Sequence, residues 1–388
     1  MLVVSQRWIR SWFAFEFVIT SIPGEPAFKT IYNSDGKDID ITVASASLQP
    51  FTDEEWRINQ QYIINTQRKR AVTIYVSDQQ GNRLQGAAIT IEQVSKDFPF
   101  GSEIASTILG NLPYQNWFVE RFNAAVFKNE LKWDATEPDQ GKTQLHHSRP
   151  YVGNSYTGIS AMRCSTGTFT SNDSDSNATL HFYETAHQAD PLATLFMNEF
   201  NVIETCSDFK LTVDIFIERI RDLERGGMYM DGIGLESHFT VPNPPLMRAV
   251  VDKLATLRLP IWLTEVDISS KVGKELQGVF LEEVLREGFS HQSVKGIMLW
   301  TALHPEGCYQ MCLTDENLKN LPAGDVVDNL LKEWESGEMK GVTDEYGSYS
   351  FYGFLGEYKA NVGFGSRTAD STFSLSRSDE TKHFTMHL

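Results

Sequence analysis

From Phe98 onward, short apolar runs alternate with amphipathic segments, and no other feature of this sequence constrains the fold as strongly. The runs are apolar on both faces, which is typical of parallel strands covered on each side by helices. Between 212 and 224, as one example of the intervening segments, apolar residues recur at helical spacing. The runs begin at Phe98, Ala124, Ala193, Asp231, Pro260 and Gly296. This alternation predicts an α/β fold, and a TIM-type (β/α)8 barrel is the favoured closure.

The predicted barrel is incomplete, because only six such strands are recognisable between 97 and 338. A (β/α)8 barrel needs eight strands, each followed by a helix, at about 30 residues per unit. Residues 142–176 interrupt the alternation after the second run with a stretch rich in Ser, Thr, Asn and Gly. That stretch is too short for two strand–helix units. We therefore predict an irregular loop at 142–176 in place of the missing strands.

Short β segments are predicted on both sides of the barrel. Residues 38–48 alternate apolar and polar side chains, as a half-buried strand does. Residues 51–96 are predicted to form a charged helical linker followed by a β hairpin, because 71–94 contain two strand-like runs around a turn with glycine. Residues 339–388 contain further strand-like runs separated by Gly and Asp, which predicts a small C-terminal β region of three or four strands.

Charge and cysteine content argue against several classes of function. The net charge of −17, from 34 basic and 51 acidic residues, is the wrong sign for binding nucleic acid. No apolar stretch reaches the ~20 residues that span a membrane, and charged residues interrupt the apolar N-terminus, so we predict no membrane partner and no clear signal peptide. No Cys and His residues have zinc-site spacing, so we predict no metal and no cofactor. Cys308 and Cys312 are near enough in sequence to pair, but the sequence leaves this pairing open. We expect a monomer.

Polar side chains stand where the apolar runs end, which is where barrels of this kind place their chemistry. They are Asn129 and Lys132 after the second run, Asn198 and Glu199 in the third, Glu236 and His238 in the fourth, Glu265 and Asp267 in the fifth, and Trp300 in the last. Carboxylates can attack or protonate a sugar, amide and ammonium groups bind hydroxyls, and Trp stacks on pyranose rings. Together these residue types predict a carbohydrate site at one end of the sheet.

Four of these runs resemble, in order, the motifs of family 10 glycoside hydrolases of the plant type. The run Leu259-Pro-Ile-Trp-Leu-Thr-Glu-Val-Asp-Ile268 is similar to the nucleophile motif of that family, which makes Glu265 the expected nucleophile. The run Asn129-Glu-Leu-Lys-Trp133 is similar to the second-strand motif, in which Asn and Lys bind the sugar at the cleavage site. The resemblance therefore implies that Asn129 and Lys132 bind substrate.

The remaining two motifs imply further substrate-binding residues. The run Asp231-Gly-Ile-Gly-Leu-Glu-Ser-His238 resembles the sixth strand of the family, which gives Glu236 and His238 site roles. The run Gly296-Ile-Met-Leu-Trp300 resembles the eighth strand, with Trp300 stacking on a sugar ring. A carbohydrate-binding β module precedes the barrel in plant-type members, so residues 1–50 are expected to be a remnant of such a module.

The family resemblance implies that this chain is a retaining endo-β-1,4-xylanase, an enzyme of polysaccharide degradation. Xylan or xylo-oligosaccharides would be its partners, no cofactor would be needed, and it would act outside the cell or in the cell wall.

One departure from the family puts that activity in doubt. The family carries its general acid/base in a Trp-Asp-x-x-Asn-Glu motif on the fourth strand, and this sequence contains no such motif. Trp133-Asp134 belongs to the second-strand motif and lacks the following Asn-Glu. Retaining glycosidases need two carboxyl groups, so we expect impaired hydrolysis. The alternatives are a sugar-binding protein without catalysis and a defective, truncated product.

Overall fold

The computed structural model describes residues 52–127, 160–161, 183–185, 187–188, 190–204, 212–228, 230–304, 307–378 and 380–388. Its principal helices are α1 Asp53–Gln67, α2 Leu112–Val119, α3 Val213–Arg225, α4 Pro244–Leu254, α5 Lys274–Ser290 and α6 Pro322–Glu333, with 3₁₀ turns at Ser106–Ile108 and Ala255–Leu257. Its strands are β1 Lys69–Ser77, β2 Ala88–Lys96, β3 Phe100–Ile104, β4 Ala124–Phe127, β5 Ser160–Ala161, β6 Phe196–Glu199, β7 Gly232–Phe239, β8 Ile261–Ile268, β9 Val294–Leu299, β10 Glu338–Val342, β11 Ser348–Phe354, β12 Gly356–Phe364, β13 Arg367–Leu375 and β14 Thr381–His387. Asn129, Lys132 and the predicted strand at 38–48 lie outside the described residues.

Seven parallel strands form the central sheet, in the order β5-β4-β3-β9-β8-β7-β6. The first strand of the series, β3, pairs with the last, β9, as it does where a barrel closes. Within the described residues the sheet ends at β5 on one side and at β6 on the other, so it curls into part of a barrel. The predicted α/β class and incomplete TIM-type barrel are confirmed.

One strand of this sheet lies inside the segment predicted to be an irregular loop. Ser160 and Ala161 pair in parallel with Ala124 and Ala125 of β4. The described part of the sheet therefore has seven strands rather than six, and the loop prediction for 142–176 is wrong at these two residues. A strand of two residues, Ser and Ala, has no apolar alternation that the sequence could reveal.

The helices bury an apolar face against the sheet, and α3 and α4 start at side-chain caps. Thr212 caps α3 by accepting a hydrogen bond from the backbone N–H of Ile215, and Asn243 caps α4 through the N–H of Leu246. Apolar side chains of these helices and of the strands share one continuous core, including Phe216, Ile220, Met247, Leu254, Ile233, Leu263, Leu285 and Ile297. The core fixes the strand ends that carry the polar residues described below.

The flanking β segments combine into one two-sheet unit, and the predicted hairpin at 71–94 is not formed. Strand β1 lies between β11 and β14, whereas β2 lies between β10 and β12 in a second sheet. The inner faces of both sheets share a core that includes Val72, Ile74, Ile89, Ile91, Tyr358 and Leu375. Strands β1 and β2 each pack against the other sheet and pair with C-terminal strands. The turn residues between β1 and β2 carry no information about these distant partners. The C-terminal β region has five strands, β10 to β14.

Two further sequence-based questions have structural answers. Cys308 and Cys312 form a disulfide. Among the helices that the structure describes, none is both long enough and apolar enough to span a bilayer.

Candidate active site

The site lies at the C-terminal ends of the neighbouring strands β7 and β8, where a bulge aligns two pairs of ionisable residues. Leu235 pairs with Leu263, but Glu236 pairs with Glu265 because the register shifts between Leu235 and Glu236. Such a shift re-aims the side chains that follow it, because alternate residues of a strand point to opposite faces. His238 and Asp267, two residues further along, are paired in the same register.

His238 is the centre of this group. Its Nδ1 lies 3.0 Å from Oδ1 of Asp267, and its Nε2 lies 3.5 Å from Oε2 of Glu265 and 3.9 Å from Oε2 of Glu236. One oxygen of Glu236, one oxygen of Glu265 and one ring nitrogen of His238 all lie within 4.8 Å of one another. The imidazole thus separates three carboxylates that would otherwise repel each other at close range.

The electrostatic balance at His238 favours the imidazolium. Burial opposes a charged ring, but the contacts with the carboxylates of Asp267 and Glu265 outweigh it and raise the pKa of His238 to about 10. At neutral pH the ring therefore carries a positive charge with a proton on each nitrogen. The trio of Glu236, His238 and Glu265 is compact enough to surround a metal ion, but the imidazolium would have to lose a proton before it could bind one.

Asp267 is the most deeply buried member of the site. The residue is fully buried, and burial raises the pKa of its carboxyl group although the contact with His238 opposes this. Neither of its carboxylate oxygens receives a well-aligned hydrogen bond from any described residue, so the 3.0 Å contact with His238 acts as an ion pair. Asp267 holds the far side of the imidazole ring and fixes the direction in which Nε2 points.

An amide on β6 orients Glu236. Asn198 Nδ2 donates to Oε1 of Glu236 at 3.0 Å, and the hydroxyl of Thr264 donates to Oδ1 of Asn198 at 2.6 Å. Asn198 can reach across β7 only because Gly234 has no side chain, since a Cβ there would lie 2.3 Å from Asn198 Oδ1. Asn198 engages Oε1, and the other oxygen of Glu236, Oε2, is the one nearest His238.

A further carboxylate, Glu204, supports the strand behind His238. Its Oε1 accepts a hydrogen bond from the backbone N–H of His238 at 2.8 Å. Burial raises the pKa of Glu204 to about 7, against the opposing effect of hydrogen bonds and of the charge on His238. Tyr309 borders the imidazole on another side, with ring centroids 6.2 Å apart, and its side chain is exposed.

The structure brings together five of the strand-end residues singled out in the sequence: Asn198, Glu236, His238, Glu265 and Asp267. Trp300 is buried, in a cluster with Ala124, Val126, Met298 and partly buried Trp262, so its predicted stacking role stays a prediction. Asn129 and Lys132 stay predictions as well, since they lie outside the described part of the chain.

The sequence placed Asp267 and Asn198 among the strand-end polar residues of the predicted site but gave neither an individual role, and it did not single out Glu204. For Asp267 a signal existed, because it follows Glu265 by two residues on a strand and so shares its face. Glu204 lies in the segment after β6 and had no periodic signal.

Comparison with known proteins identifies the family of this chain. Residues 180–327 match the model of Glycosyl hydrolase family 10. Endo-1,4-beta-xylanase 5 of Arabidopsis thaliana is 31% identical, with 85% of this chain and 68% of that protein aligned. Endo-1,4-beta-xylanase 5-like of the same plant is 28% identical, with 78% of this chain and 63% of that protein aligned.

A solved structure agrees in fold. The three-dimensional structure of a thermostable mutant of a xylanase from Cellvibrio japonicus superposes with a TM-score of 0.50 at 16% sequence identity, covering 61% of this chain and 98% of that one. At this identity the likeness concerns the fold alone. Together with the 31% identity to the Arabidopsis protein, the matches establish that this chain belongs to glycosyl hydrolase family 10.

Proposed function

We propose that this chain is a retaining glycoside hydrolase directed at β-1,4-xylan, with Glu265 as the nucleophile and with impaired hydrolysis of unactivated xylan. Family membership supports the reaction class. The named relatives, endo-1,4-beta-xylanases at 31% and 28% identity, support the substrate. Xylan and xylo-oligosaccharides are the proposed partners. A monomeric state and a location outside the cell or in the cell wall stay predictions.

The observation that carries the proposal is the position of Glu265. Its carboxylate is buried at the end of β8, with Oε2 3.5 Å from a charged imidazole that Asp267 holds from the other side. A nucleophile must be held at a fixed distance and direction from the carbon that it attacks, because misplacement raises the barrier steeply. The ion pair with His238 supplies this restraint at one of the two carboxylate oxygens of Glu265, Oε2.

In the proposed reaction, a carboxylate oxygen of Glu265 forms a bond to the anomeric carbon as the bond to the leaving sugar breaks. Water then releases the sugar from Glu265, so that the configuration is retained. Both steps need a second carboxyl group, first to protonate the leaving oxygen and then to deprotonate water. The family's motif for that group is absent from the sequence, which supports a reduced rate on xylan, where the leaving group is a poor one.

A non-catalytic sugar-binding protein is the second candidate, and the missing acid/base motif is the observation that favours it. In that case the strand-end polar residues would bind xylo-oligosaccharides without cleaving them. The two candidates differ in one property, the formation of a covalent bond between Glu265 and a sugar.

The test is covalent trapping with a 2-deoxy-2-fluoro-β-xylobioside that carries a dinitrophenolate leaving group. This leaving group departs without protonation, and the fluorine slows release of the sugar, so an enzyme with a working nucleophile accumulates as the adduct. We expect mass spectrometry of the digested protein to find one fluoroxylobiosyl group, on Glu265, and none in Glu265→Gln. Glu224→Gln, a substitution at an exposed position of α3, should label like the wild type. Binding of xylobiose without any adduct would favour the non-catalytic candidate.

A further inference from the structure

Glu236, a carboxylate beside Glu265, is a candidate to replace the missing acid. Glu236 and Glu265 are paired residues on adjacent strands, and a carboxylate oxygen of each lies within 4.8 Å of the other. Retaining glycosidases place their two carboxyl groups about 5–5.5 Å apart. The bulge beside Glu236 brings the two carboxylates to one face of the sheet, since without the shift Glu236 would pair with Thr264 and the two side chains would point to opposite faces.

The other carboxyl groups around the site are less suitably placed. Asp267 is fully buried behind His238, and Glu204 bonds the backbone N–H of His238. Glu199 pairs with Arg219 at 3.1 Å. Among the described residues, only Glu236 combines a short distance to Glu265 with a partly exposed side chain, 15% accessible against 9% for Glu265.

The hydrogen bonds of Glu236 suit a group that must hold and release a proton. Asn198 donates to Oε1, so the proton of a neutral Glu236 is directed to Oε2, the oxygen nearest His238. His238 itself is a poor donor in this role, because Asp267 and Glu265 keep its protons in place. The amide Asn198 is in turn fixed by the hydroxyl of Thr264, so the orientation of Glu236 does not depend on the substrate.

We propose that Glu236 is the general acid/base of the residual reaction, an inference that rests on the proposed function of Glu265. In the first step an oxygen of Glu265 bonds to the anomeric carbon, the glycosidic C–O bond breaks, and the leaving oxygen takes the proton of Glu236. In the second step Glu236, now a carboxylate, takes a proton from water. The water oxygen bonds to the anomeric carbon and the bond to Glu265 breaks, which restores both groups.

The experiment compares Glu236→Gln, Glu236→Asp and the wild type on two substrates, xylotriose and a nitrophenyl β-xylobioside. Glutamine keeps the shape and the hydrogen bond from Asn198 but cannot transfer a proton. We expect Glu236→Gln to cleave xylotriose about 10²–10⁴-fold more slowly, because that is the range that general acid catalysis contributes. The first burst of nitrophenolate should change less than about 10-fold, because this leaving group needs little protonation.

The second step provides an independent readout. Turnover of the nitrophenyl substrate by Glu236→Gln should slow after the burst, and azide, which needs no base, should restore it and yield a xylobiosyl azide. Glu236→Asp, which keeps a proton donor at a longer distance, should lie between the wild type and Glu236→Gln on xylotriose. Far-ultraviolet circular dichroism and thermal melting establish that each variant is folded, and Glu224→Gln serves as the charge-matched control.

Three outcomes would overturn the inference. Xylotriose cleavage by Glu236→Gln within a few-fold of the wild type would mean that another group supplies the proton. Equal losses on both substrates, with no response to azide, would make Glu236 a structural or binding residue. A wild type that releases nitrophenolate and labels at Glu265 but does not cleave xylotriose would refute the role of Glu236 and leave the proposed nucleophile intact. Failure of Glu265 to label would instead refute the proposed function itself.

Discussion

Buried charged side chains are paired differently at the two ends of the parallel sheet. Near the N-terminal end of β9, charged side chains are matched by partners: Glu287 accepts hydrogen bonds from Gln60, at 2.7 Å, and from Arg248. At the C-terminal ends of β7 and β8, three carboxylates share one imidazolium, and Asp267 has no well-aligned donor among the described residues. The first arrangement stabilises the folded protein. The second places like charges close together at the site, which lowers the stability of the folded protein.

The matched end also joins the barrel to the neighbouring β segment. Arg68, which directly precedes β1, is buried and donates to the carbonyl oxygens of Phe289, His291 and Val294 at 2.8 to 3.0 Å. Its guanidinium lies 4.5 Å from the ring centroid of Phe98. The end of α5 and the start of β9 are thereby held by groups with no place in the proposed reaction, so substitutions there should affect stability more than catalysis.

The largest effect is expected at the matched end, from Glu287→Leu. The substitution keeps an approximate side-chain volume but leaves Arg248 and Gln60 without their carboxylate, and breaking a buried pair in this way costs about 3–5 kcal/mol of unfolding free energy. Denaturant unfolding monitored by circular dichroism measures it. Glu224→Leu, at an exposed position of α3, should stay within about 0.5 kcal/mol of the wild type. If Glu287→Leu lowered the unfolding free energy by less than about 1 kcal/mol, the charged residues at this end would not stabilise the fold more than those at the site do.

A smaller effect, of opposite sign, is expected from Glu204→Gln near the site. The pKa of Glu204 in the folded protein is about 7, above its ordinary value of 4.5, so the folded state holds the proton longer than the unfolded chain does. Its contribution to stability is therefore full below pH 4.5 and is lost as the pH rises from 4.5 through 7. Glutamine still accepts the N–H of His238 and has no proton to lose. We expect Glu204→Gln to be more stable than the wild type by the order of 1–3 kcal/mol at pH 8, with the difference shrinking towards pH 4.5.

The measurement for Glu204 is denaturant unfolding of both proteins at several pH values between 4.5 and 8. Parallel stability curves, with no growing advantage for Glu204→Gln, would show that Glu204 ionises in the folded protein as easily as in the unfolded chain.

The sequence predicted those parts of the structure that follow from periodicity and from motifs. The apolar runs predicted the parallel strands. The position of Glu236, His238 and Glu265 at strand ends predicted that they lie in one site. The register shift opposite Thr264 was not predictable, because a bulge leaves the apolar alternation of both strands almost unchanged. The partners of β1 and β2 were not predictable from local turn chemistry either, because their pairing depends on strands from the other end of the chain.

The most direct test of the contrast between the two ends is the melting temperature of Glu265→Gln. If the carboxylates around His238 are kept for chemistry at a cost in stability, removing one negative charge should leave the melting temperature unchanged or raise it, while Asp267 and Glu236 still neutralise the imidazolium. The same variant should have lost its covalent labelling. A fall in melting temperature as large as that of Glu287→Leu would contradict the account, because Glu265 would then be a residue that holds the fold together.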